Sequence, residues 1–156
     1  MKKTAVVCAM LILALAASAC AYAEAVSGAA GSTTALREQP GQGSRAIGQF
    51  YNGAQMQMLS QAGDGWALVA FGGVQGYMPL EALSSGVKRD ETLTASVVSP
   101  YGTPSVVLRD RPSDSYNAVA MVTVGSQVRV LGTSGKFVFV TLNNGTEGCL
   151  SSQEIR

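Results

Sequence analysis

The sequence predicts an all-β protein built from two small modules, each a closed barrel or a sandwich. Three observations predict it. The first is a repeat. Leu36-Arg37-Glu38-Gln39-Pro40 is echoed 72 positions later by Leu108-Arg109-Asp110-Arg111-Pro112. The echo continues: Gly53 falls on Gly125, Met58-Leu59 on Val130-Leu131, Gly76 on Gly148 and Met78 on Leu150. Similarity at one fixed offset is what two copies of a fold unit leave in a chain. The second is composition. There are 18 glycines, only 13% of residues are charged and 6% are aromatic, which suits turn-rich β structure better than helix bundles or disorder. The third is spacing. Short apolar runs recur at regular intervals with Gly, Pro, Asn and Asp between them.

The chain opens with Met1-Lys2-Lys3 and an uncharged apolar run from Ala5 to Ala17. That run has the length of a signal-peptide core and is too short to span a bilayer. Ala21-Tyr22-Ala23 is a small-x-small cleavage pattern, so residues 1–23 read as a signal peptide removed on export. Ala17-Ser18-Ala19-Cys20 resembles a bacterial lipobox, with Ala17 where leucine is usual. Cys20 is therefore a candidate lipidation site. Lipidation would hold the protein on a membrane, whereas cleavage after Ala23 would release it to the periplasm or the medium. Residues 24–34 are rich in Ala, Gly, Ser and Thr and read as a flexible tether.

The first module spans 35–83. Ala35-Leu36-Arg37 is a strand, 38–44 a Pro- and Gly-rich loop, and Ala46 to Phe50 an apolar segment turning at Asn52-Gly53. Gln55 to Leu59 alternates. Trp66 to Phe71 and Gln75 to Met78 form a hairpin across Gly72-Gly73, and Pro79 to Leu83 is a closing turn. This module lacks a clear initial strand. Residues 84–92 are polar and read as a linker. The second module spans 93–156 and adds a first strand, Thr94 to Val98. Ser105 to Arg109, Ala118 to Val122, Gln127 to Leu131, Phe137 to Leu142 and Glu147 to Leu150 follow, and Ser151 to Ile155 repeats the closing turn.

These residues resemble the bacterial SH3-like domains of exported proteins, in the order that family shows. Leu36-Arg37, Pro40, Ile47-Gly48, Gly53, Met56, Met58-Leu59, Gly65-Trp66, Val69, Gly76-Tyr77 and Leu83 follow its pattern in the first copy. Leu108-Arg109, Pro112, Val119, Gly125, Val128, Val130-Leu131, Phe137, Val140, Gly148 and Ile155 follow it in the second. The resemblance implies two tandem SH3-like β-barrels without catalytic activity. It also implies attachment to peptidoglycan or another wall polymer, or contact with an extended peptide or an exported protein partner. The second copy departs from the pattern, with Phe137 where tryptophan is usual and Cys149 where tyrosine is usual.

Composition narrows the chemistry. The chain has no histidine, which removes Cys-His and Ser-His nucleophile pairs and His-based zinc hydrolase sites. No cofactor or metal is expected. The net charge is +1, and −1 without Lys2 and Lys3, with no basic run to meet nucleic acid. Past Ala23 the only cysteine is Cys149, so no internal disulfide forms there, and its apolar strand marks it as a small buried hydrophobe. The candidate ligand contacts are aromatic, because aromatic faces stack on sugars and clamp extended peptides. With Val69 and Val140 inward, Trp66, Leu68, Phe137 and Phe139 point outward. Strands apolar on both faces need a second cover: a ligand, the other module or another protein. Trp66, Tyr51 and Tyr77 in the first copy, and Tyr116, Phe137 and Phe139 in the second, are expected to line a groove beside the 37–47 and 109–118 loops. Arg37 and Arg109 are expected to bond loop carbonyls.

Overall fold

A computed structural model describes residues 22–26, 32–84 and 93–156. Most of the expected signal peptide with Cys20, the middle of the expected tether and most of the expected linker lie outside the described residues. The first half contains β1 (Tyr22–Val26), β2 (Thr33–Arg37), β3 (Ala46–Tyr51), β4 (Gln55–Ala62), β5 (Trp66–Phe71) and β6 (Val74–Pro79). A single 3-10 turn at Leu80–Ala82 leads to β7 (Leu83–Ser84). The second half contains β8 (Thr94–Ser96), β9 (Ser105–Arg109), β10 (Ala118–Thr123), β11 (Gln127–Ser134), β12 (Phe137–Thr141) and β13 (Glu147–Ser151), then a 3-10 turn at Ser152–Glu154. The all-β expectation holds.

Two separate closed barrels are not what forms. The strands make one open path, β10-β9-β13-β12-β11-β3-β2-β6-β5-β4-β1-β7, with β8 on β11. The path runs through both halves because β11 has two partners on its outer side. Gln127, Val128 and Arg129 pair with β8, while Gly132 and Thr133 pair with Phe50 and Gln49 of β3.

The N-terminal expectation is also corrected. Residues 24–26 are not tether but part of β1, which pairs antiparallel with β4 from Tyr22↔Met58 to Ala25↔Gln55. The first half therefore has an initial strand. Ala-rich Tyr22–Val26 carries little intrinsic strand signal. Its pairing is tertiary: the Val26 N–H donates to the Ala54 carbonyl at 2.9 Å and its carbonyl accepts from Gly53 N–H at 2.7 Å. Val26 is buried in the core.

Period-2 alternation places the remaining side chains. In β5, Ala67, Val69 and Phe71 enter the first core, as expected from Val69. In β12, Val138 and Val140 enter the second. The pairing repeats: Val69↔Gly76 matches Val140↔Gly148, and Arg37↔Tyr77 matches Arg109↔Cys149. Both glycines are needed for a close crossing. A Cβ on Gly76 would lie 2.7 Å from the Arg37 carbonyl oxygen, and one on Gly148 2.7 Å from that of Arg109.

The two cores are not independent. Leu131, Phe139 and Cys149 belong to the first core cluster although they come from the second half. Phe139 stacks on Phe50 (centroids 4.6 Å apart, 24° between planes) and meets Phe71 edge-on at 5.6 Å. Phe139 is therefore removed from the list of groove residues. It is fully buried, and the cover of its outward face is the first half. Two glycines let the halves approach. A Cβ on Gly48 would stand 2.9 Å from the Phe139 ring, and one on Gly132 would overlap the Gln49 carbonyl oxygen. Ser134 Oγ completes the seam by donating to the Ile47 carbonyl at 2.6 Å.

Candidate functional site: two corresponding grooves

Each half carries a shallow groove between its Arg-led loop, the start of its long hairpin and its closing 3-10 turn. The first groove, about 530 Å³, is lined by Gln42, Gly65, Trp66, Pro79, Leu80 and Glu81, with Asp64 at its rim. The second, about 280 Å³, includes Asp114, Lys136, Phe137, Ser151, Ser152 and Gln153. These six stand 71 or 72 positions after the first six, in the same order.

The first groove is built on a tight turn. Asp64 (φ 61°) and Gly65 (φ 77°) both adopt left-handed backbone, and so reverse the chain directly into β5. Trp66 pairs with Pro79 across the hairpin, so both sit on the outward face above Leu80. Only 8% of Trp66 is exposed, and the residue lines the groove. Opposite, the 38–45 loop is drawn closed by Arg37, whose guanidinium donates to the Ser44 carbonyl. The expected structural role of Arg37 is what the structure places there.

The second groove is more polar. Lys136 Nζ lies 5.5 Å from the Phe137 ring centre and pairs with Asp114 at 2.7 Å. Tyr101, 83% exposed, stands at the mouth. The back wall is a buried ion pair: Arg109 donates two hydrogen bonds to Glu154, at 2.6 and 3.1 Å. Glu154 also accepts the Ser151 N–H at 2.7 Å, which caps its own turn. Tyr116 stacks on Arg109 at 4.8 Å. The hydrogen bonds to Glu154 push the Arg109 pKa upward, with the Glu154 charge and Tyr116 adding to it against burial. The adjoining loop is held by Asp110, which accepts from Asn117 N–H and from its side-chain amide, both at 2.8 Å. Hydrogen bonding from Arg111, then from Asn117, holds the Asp110 carboxyl well below the usual carboxylate range.

Of the aromatics singled out from the sequence, Trp66 and Phe137 lie in corresponding grooves. Tyr116 reaches the second through Arg109. Tyr51 and Tyr77 are half-buried and line neither groove. Sequence reasoning missed Tyr101, Lys136 and Glu154. Lys136 has a signal in hindsight, since it directly precedes Phe137. Glu154 has one too, as the Glu of a Ser-x-x-Glu capping pattern with Ser151.

Cys149, on β13, is the ladder partner of Phe139 on β12. It is 1% exposed, and burial foremost, with the Asp110 charge second, pushes its thiol up to about 12 from 9.0. The thiolate is the reactive form. At pH 8 a thiol reagent should label the folded chain roughly a hundredfold more slowly than the unfolded chain. The shift also has a sign for stability. The unfolded thiol ionises above 9.0 while the folded one does not, so this contribution is present below 9.0 and is lost as pH rises toward about 12. Cys149→Ala should show a shallower alkaline loss of stability in urea titrations. Rapid labelling of the folded protein would contradict the buried placement.

Residues 32–84 match the family model described as the bacterial SH3 domain. No curated protein matches the chain. Solved structures similar to it include NlpC1 from Trichomonas vaginalis, at 15% identity and TM-score 0.41, covering 87% of this chain and 45% of that one. NlpC2 from the same organism gives 15%, TM-score 0.39, 86% and 47%. An NlpC/P60 family protein from Bacillus cereus gives 19%, TM-score 0.32, 71% and 38%. The chain spans less than half the length of each of these structures.

Proposed function

From the bacterial SH3 domain at residues 32–84, we propose that the chain is an exported binding protein that attaches to cell-wall peptidoglycan through its two grooves. In this reading the apolar segment before β1 directs export, residues 84–92 link the units, and residues 93–156 are a second SH3-like unit. The observation that carries it is the correspondence of the grooves, six lining positions 71 or 72 residues apart around Trp66 and Phe137. An aromatic ring beside a floor of Pro, Leu or Ser suits the stacking of a sugar ring or the clamping of an extended stem peptide. Two such grooves on one chain raise the effective concentration at the second site once the first is filled, and a polymer with repeating epitopes rewards that. The charges of Lys136, Asp114 and Arg109 give the second groove a different preference from the first.

The test is co-sedimentation with purified peptidoglycan. The chain should begin at Ala21, which keeps Tyr22 and Ala23 in β1. Saturable pelleting, competed by soluble wall fragments, is expected. Gln42→Trp, at an exposed position on the first groove, should fill it and weaken pelleting with the fold intact. Trp66→Phe, which copies the second groove's aromatic, should weaken it about fivefold, for roughly 1 kcal/mol of lost stacking. A folded chain that stays in the supernatant would sink wall attachment and make an exported protein partner the leading reading.

A further inference from the structure

Three of the five exposed large apolar side chains among the described residues lie on or next to β10: Val119 (43%), Met121 (63%) and Val124 (38%). Among the described residues β10 is also the end strand of the sheet, paired only with β9. The Val124 N–H donates to the Pro104 carbonyl at 3.0 Å. Antiparallel alternation then turns the backbone N–H and C=O of Met121 and Thr123 toward the open side. Natural edges are commonly protected by charge or proline, and Ala118–Thr123 has neither. The corresponding edge in the first half is in use. Gln49 and Phe50, 72 positions before Met121 and Val122, pair with Thr133 and Gly132.

We propose that β10 is a dimerisation edge: it pairs antiparallel with β10 of a second copy about a two-fold axis, with Met121 opposite Met121. The sheet then continues from one chain into the next and covers Val119 and Met121. Two substitutions within the repeat select this arrangement over a head-to-tail copy of the internal seam. That seam depends on Gly132, whose Cβ would overlap a backbone carbonyl, and on Gly48, whose Cβ would press on the Phe139 ring. The counterpart of Gly132 on β4 is Ser60, and the counterpart of Gly48 on β10 is Ala120. Both carry a Cβ, so a second copy cannot dock its β4 on β10 as β11 docks on β3. Two-fold pairing leaves Ser60 out of the contact and sets Ala120 opposite Val122 in a regular antiparallel ladder, where a Cβ is accommodated; one uncharged strand meets itself and no like charges are opposed. The inference rests on the correspondence of the halves and on neither groove, since no β10 residue lines one.

Sedimentation velocity of the chain beginning at Ala21, over a concentration series, tests it. A monomer–dimer equilibrium is expected. Met121→Lys, at a solvent-facing position, should weaken association by roughly tenfold or more with unchanged circular dichroism and, at concentrations where both chains are monomeric, an unchanged thermal melt. Met121→Cys should form a disulfide-linked dimer under mild oxidation much faster than Asn144→Cys at a distant exposed turn, while buried Cys149 does not contribute. A monomer at every concentration overturns the proposal. So does a dimer that survives Met121→Lys, or equal cross-linking of the two cysteine variants. Peptidoglycan pelleting by a monomeric Met121→Lys would separate failure of this edge from failure of the grooves.

Discussion

Phe139→Ala should destabilise the protein by about 3–5 kcal/mol and lower Tm by roughly 10 °C or more. Phe139 is fully buried at the seam, stacked on Phe50 and edge-on to Phe71. Truncation removes a large apolar surface from a site walled by strands of both halves, which cannot collapse without parting β11 from β3. A second consequence distinguishes this site from an ordinary core position. The halves share one cluster, so its loss should split a single cooperative urea transition into two, each with a smaller m-value. Gly132→Val attacks the seam from the other side by overlap with the Gln49 carbonyl rather than by a cavity, and should also separate the transitions. A single sharp transition in both variants, with less than about 1 kcal/mol lost, would mean that the halves are not coupled through this cluster.

Glu154→Ala should cost about 2–3 kcal/mol, somewhat below the loss for a fully enclosed pair because Arg109 keeps some solvent contact. The side chains of Arg109 and Glu154 are 14% and 10% exposed. Removing the carboxylate strands a buried guanidinium, opens the cap of the Ser152–Glu154 turn and loosens the back wall of the second groove. The double variant Arg109→Met/Glu154→Leu should recover most of the stability, because an apolar pair needs no desolvation of charge. It should not recover any wall binding that depends on the second groove. Equal stability of wild type and Glu154→Ala in chemical denaturation would show that the pair is solvated.

The strands and their faces were legible in the sequence. Trp66–Phe71 is β5 at the expected bounds, and Val69 and Val140 face inward as the alternation required. The positions of Trp66 and Phe137 were legible too, because the resemblance to the bacterial SH3-like pattern matched them, one residue off the 72-residue offset of the repeat. The strand β1 was not. Its alanines carry no β signal, and it forms because β4 has an open edge and the core has a place for Val26. The back wall was also hidden. Arg109 and Glu154 are 45 residues apart, and no local pattern announces a partner at that distance.

Phe139 marks the boundary between what the sequence determined and what the tertiary structure decided. Alternation along β12 established that Phe137 and Phe139 share the outward face and that this face is apolar. Periodicity is a local property of the backbone, so it assigns a side chain to a face. What covers that face depends on how distant segments approach, and that approach was set by Gly48 and Gly132, two missing Cβ atoms 84 positions apart. They let the first half close over Phe139 and Cys149, while Phe137, two residues earlier on the same face, was left at the groove.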